Sequence, residues 1–109
     1  MGSTIIAARP VRYNYAGITV QSGSTIALAA NAKRQYAKFT NISNERICLH
    51  VGQAAESNVG EILNPVDADG NVRGVFEMTV TAGNLSLQDV YAICASGSKG
   101  LLVTEGVTN

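Results

Sequence analysis

Arg46, Cys48 and His50 alternate along one run and would share a face of an extended strand, making Cys48 the sharpest nucleophile in the sequence. A thiolate is activated by a neighbouring imidazolium or guanidinium. Positions two apart on a strand stand about 6–7 Å apart, however, and a working dyad takes its base from another element. Cys48 therefore reads as a small core or interface residue and His50 as a polar position at a strand end. Two cysteines and one histidine lack the paired spacing of a zinc site. Asp67-Ala-Asp69-Gly70-Asn71 offers oxygen ligands, but its glycine comes too early for a calcium loop and the closing glutamate is missing. Gly97-Ser98-Lys99-Gly100 lacks phosphate-loop spacing and reads as a hairpin turn. No catalysis and no cofactor are expected. Tyr13, Tyr15 and Tyr36 could form a sugar-stacking platform, although strand tyrosines commonly pack with only their hydroxyls at the rim.

The elements that would position these residues are short strands. Val11, Tyr13 and Tyr15 alternate with Arg12, Asn14 and Ala16, the period of a half-buried strand, and Gly17 permits a bend or bulge. Ile26, Leu28 and Ala30 would share one face after a turn at 21–24. Residues 34–42 place Arg34, Tyr36, Lys38, Thr40 and Ile42 on one side and Gln35, Ala37, Phe39 and Asn41 on the other. A hairpin through 42–45 would lead to Ile47, Leu49 and Val51. Residues 53–60 read as a loop or one short helix. Asp69-Gly70 signals a second hairpin, followed by a strand with Phe76, Met78 and Val80 inward. Val90–Cys94 and Leu101–Thr104 complete about eight strands. The fold class is all-β: a single β-sandwich or jelly-roll-like domain over 11–109, with an extended N-terminal arm at 1–10 because Pro10 denies Arg9 a helical backbone.

The composition agrees. Of 109 residues, 46% are hydrophobic, enough for one core, and only 15% are charged, too few for helices laced with Glu and Lys. Zero net charge removes the basic footprint of nucleic-acid binding. No apolar run approaches a membrane span, and the N-terminus lacks a signal peptide's core, so a soluble, unsecreted protein with reduced cysteines is expected. Charge is nevertheless uneven, at +5 over residues 1–50 and −5 over the rest. Halves of opposite sign can meet in neighbouring copies, unless interleaved strands cancel the asymmetry in space.

The stretch NAKRQYAKFTNISNERICLHVG, residues 31–52, with the polar Gly-rich meander after it and the final strand around Leu101-Leu102-Val103, resembles small virion proteins of tailed bacteriophages. The resemblance spans roughly residues 24–104. It implies a capsid cement or decoration subunit in the virion, assembled in the bacterial cytoplasm, bound to the major capsid protein and to itself as a homotrimer. Neither nucleic acid nor membrane is an expected partner. The arm residues Ile5, Ile6, Arg9 and Pro10 are the candidate capsid contacts, and Arg12, Lys33, Arg34 and Lys38 the candidate subunit contacts. A receptor- or carbohydrate-binding module of a tail or fibre is the alternative.

Overall fold

The computed structural model describes residues 11–108, and the arm positions Ile5, Ile6, Arg9 and Pro10 lie outside them. Eight strands follow in order: β1 Val11–Val20, β2 Thr25–Leu28, β3 Arg34–Asn41, β4 Ile47–Val51, β5 Glu61–Leu63, β6 Gly74–Thr79, β7 Val90–Cys94 and β8 Lys99–Thr108. They form two four-stranded antiparallel sheets, β1-β8-β3-β6 and β2-β7-β4-β5. The outermost pairs with the last, β2 with β7, β3 with β6 and β4 with β5. A long hairpin rolled on itself gives this pairing, which is the connectivity of a jelly roll.

Three sequence expectations change accordingly. The turn at 42–45 carries the chain from the first sheet to the second, and Asp69-Gly70 sits in the crossover back from β5 to β6. Gly97-Ser98 likewise joins β7 to β8 across sheets, with both residues at positive φ. Turn chemistry reverses the chain wherever it occurs, but packing decides which sheet receives the next strand. Only β4 and β5 are consecutive strands paired in one sheet. Residues 53–60 form a loop without helix.

Inward residues of both sheets build one core: Ala37, Phe39, Met78, Leu101 and Val103 from the first sheet meet Ile47, Leu49, Leu63, Val90, Ala92 and Cys94 from the second. Each contributes apolar area at roughly 25 cal/mol per Å². Phe76 and Met78 point inward as expected, whereas Val80 lies past the end of β6 and is 62% exposed. In β2 the register slips between Ile26 and Leu28, so Ala27 is buried and Ile26 faces out. The expected Ile26–Leu28–Ala30 face is thereby broken. Gly17 produces neither bend nor bulge, because β1 pairs with β8 without interruption from Val11 to Val20.

Two wholly buried polar side chains close the sandwich at opposite ends of β3. At its start, Arg34 donates from Nε to Glu105 at 2.8 Å, from Nη1 to the carbonyls of Ser86 and Gln88, and from Nη2 to that of Ala29. At its finish, Asn41 donates to the carbonyls of Glu45, Leu63 and Asn64 and accepts from the Ser43 amide and hydroxyl. Each ties separate loops to the core, since buried polar groups must find partners.

Candidate functional site

Four sequence-derived subunit contacts lie in different settings. Arg12 and Lys33 are exposed near the C-terminal end of β8, where Thr108 donates its amide to the Lys33 carbonyl. Lys38 is half-buried on the outer face of the first sheet. Arg34 is fully buried in its ion pair with Glu105 and cannot reach a second copy. The β3–β8 register shifts between Arg34 and Tyr36, which breaks the alternation and turns Arg34 toward the interior with Ala37. The charge asymmetry along the sequence also dissolves. Strands from the basic half interleave with those from the acidic half in the first sheet, and Lys38 lies in register with Glu77.

Cys48 and His50 lie on the outer face of the second sheet, opposite to the core side occupied by Ile47 and Leu49. Both are buried because residues 52–60 cross over them. The Asn58 amide donates to the Cys48 sulfur at 3.3 Å, and Gly60, at φ +86°, lies so close that a Cβ there would meet the Leu49 carbonyl and the His50 ring. Ala55 anchors the crossing by donating its amide to Ser24. No Cys48–His50 hydrogen bond is formed among the described residues; the imidazole Nε2 is buried without a partner. Cys94 faces the core from β7, and its thiol donates to the Val20 carbonyl. The two cysteines are free thiols on opposite faces of one sheet.

Asp67 acts as the keystone of the 67–71 turn. Its carboxylate accepts from the amides of Asp69 and Asn71 and pairs with Arg73 at 3.5 Å. These bonds, the Asn71 amide first, hold its pKa below the ordinary value. Glu45 is similarly lowered because the Ser96 hydroxyl and amide donate to it, joining two crossover loops.

The first sheet has the distinctive surface. β1 is exposed on both faces from Arg12 to Gly17, and the burial expected on one side begins only at Ile18 and Val20. The facing edge strand β2 is four residues long and cannot cover a ten-residue strand. On the outer face Tyr13 packs edge-on against Tyr36, with ring centroids 6.0 Å apart, across Gly106. A Cβ at Gly106 would strike the Tyr13 ring at 2.9 Å. Tyr36 donates its hydroxyl to Glu77, and that bond, helped by burial, raises its pKa to about 12. Tyr15 stands 77% exposed beside a groove of about 240 Å³ lined with Ala16, Gly17, Leu102, Val103 and Thr104. The tyrosines were readable from the sequence, but Leu102, Thr104 and Glu77 join them only through strand register.

Of the four sheet-edge strands, β1 is the longest and the most regular. β5 has three residues, β2 is short with a slipped register, and β6 has six residues. Short or irregular edges are poor templates for another chain, whereas an even ten-residue edge carrying one charge is a good one.

No protein-family model and no curated protein matches the sequence. A solved chain from Bacillus endospore appendages, described as forming a novel family of disulfide-linked pili, is similar in fold. Its TM-score is 0.51 at 12% identity, with 99% of this chain and 96% of that one covered.

Proposed function

We propose that this protein is a structural subunit that works by adhesion to other chains in an ordered assembly, with the β1 edge as its principal self-contact. The carrying observation is that β1 offers ten regularly paired residues to β8 and has no second neighbouring strand among the described residues. Unpaired backbone donors and acceptors along such an edge gain partners when another strand adds to it. Zero net charge removes the repulsion that would keep copies apart. The fold likeness to a pilus-forming chain supports the compatibility of this architecture with assembly. The resemblance to phage cement and decoration proteins suggests a capsid surface as the setting, with residues 1–10 reaching the shell and copies grouped as trimers.

Light scattering on the full chain and on a chain lacking residues 1–10 tests this reading. Association beyond the 11.4 kDa of one copy is expected for the full chain and is expected to survive the deletion, because β1 rather than the arm makes the self-contact. An 11.4 kDa species throughout the micromolar range overturns it. Retained association with lost capsid attachment in the truncated chain would assign the arm to the shell and β1 to self-contact.

A further inference from the structure

We propose that the outer face of the β1-β8-β3-β6 sheet is a binding platform for a neutral oligosaccharide, centred on the row Tyr15, Thr104, Lys38 and Glu77. The register places these four side chains side by side across four strands: Tyr15 opposite Thr104, Thr104 opposite Lys38, and Lys38 opposite Glu77. Ala37, Phe39 and Val103 point to the core from the alternate positions, so this row points to solvent. Strands about 4.8 Å apart make the row about 14 Å long, space for a short chain of sugar rings.

The chemistry along the row suits such a chain. Tyr15 presents an open aromatic face for the C–H side of a pyranose, and the adjoining groove above Gly17 and Leu102 gives the ring depth. Beyond it come a hydroxyl, an ammonium and a carboxylate, the donors and acceptors that sugar hydroxyls need. Lys38 has no ion-pair partner within 4.0 Å among the described residues, and Glu77 is oriented by the Tyr36 hydroxyl. One cation and one anion in register leave the row neutral, complementary to an uncharged polyhydroxyl chain. A polyanion would meet Glu77.

A second copy fits this face less well. Stacking two such faces about a two-fold axis brings Lys38 over Glu77 only if the axis runs between β3 and β6. Since β6 is the edge of the sheet, that arrangement leaves β1, and Tyr15 with it, outside the contact.

The protein has no tryptophan and four tyrosines, three of them on this face and the fourth, Tyr91, on the other sheet. Tyrosine ring resonances therefore report binding directly. The full chain is titrated with cellotriose, maltotriose and tri-N-acetylchitotriose, each to about 10 mM, the range in which weak sugar binding is measurable. Shifts at Tyr15 and Tyr13 with Tyr91 unmoved are expected for at least one trisaccharide. Tyr15→Ala should weaken that binding about tenfold and Tyr15→Phe should retain it, because the ring face carries the contact. Lys38→Met should weaken it while leaving the fold unchanged. Silence of the Tyr15 ring with all three sugars overturns the proposal, as does binding unaffected by Tyr15→Ala. Ring shifts that follow protein concentration without sugar report pairing along β1, which carries Tyr13 and Tyr15, so the titration is run at one fixed protein concentration. Failure here would leave association through the β1 edge standing, since that edge is tested without sugar.

Discussion

The two ends of β3 solve the same problem with different chemistry. Arg34 and Asn41 are both fully buried, and each gathers loops that would otherwise splay from the sandwich. Asn41 is neutral, and its five hydrogen bonds use both its donor and acceptor groups, four of them with backbone groups. Arg34 brings a charge into the interior and therefore requires Glu105 from β8 as well as three carbonyls. A neutral clamp is self-contained, while a charged one makes each partner dependent on the other. The Arg34 end is thus the more fragile to single substitution, and it is also the end at which β1 begins.

Arg34→Met is expected to give the largest effect, about 3–5 kcal/mol of lost stability in denaturant unfolding, because Glu105 is left buried without its partner. Arg34→Met combined with Glu105→Leu should recover most of that loss. A double variant as unstable as the single one would show that the carbonyl contacts, rather than the charge pair, set the cost. Asn41→Ala should cost less, about 2 kcal/mol, from carbonyls deprived of a donor. Equal losses at the two ends would erase the distinction between charged and neutral clamps.

Acid sharpens the contrast. Glu45 and Asp67 both lie in the crossover loops of the Asn41 end, and both have pKa values lowered below their ordinary 4.5 and 3.8. Their folded forms favour ionisation, so their contribution is complete above those values and is lost as pH falls below them. Amide resonances of Ser96 and Asn71 should therefore move below about pH 4, before the strands unfold. Amides that stay fixed until global unfolding would contradict this. The smallest effect is alkaline: Tyr36, raised to about 12, contributes fully below pH 10 and loses its contribution as pH approaches 12. In an ultraviolet titration Tyr36→Phe should remove the latest-ionising phenol, and a surviving phenol at that pH would refute the Tyr36–Glu77 assignment.

Much of the strand content could be read from alternation alone: Phe39 with Ala37, Ile47 with Leu49, and Phe76 with Met78 all point inward as their spacing requires. What alternation could not supply was the partner of each strand. The turns at 42–45 and 69–70 are genuine reversals, yet each spans the two sheets, because closing the core demands strands on both sides of it. Arg34 was misplaced for a local reason, the register shift that precedes Tyr36. His50 was expected as a partly exposed position at a strand end and Cys48 in a core or interface; the loop that follows β4 folds back over both, and such covering leaves no mark in a strand's own period. The aromatic face was partly visible as three tyrosines, while its polar members came together only by register.

Amide hydrogen exchange across β1, compared between dilute and concentrated protein, tests the assembly role most directly. Edge pairing should add protection at residues 11–20 as concentration rises, with β5 and β6 amides unchanged. The substitution Ala16→Lys, at an exposed position of β1, should abolish the concentration dependence. Exchange along β1 that is the same at every concentration would contradict the account.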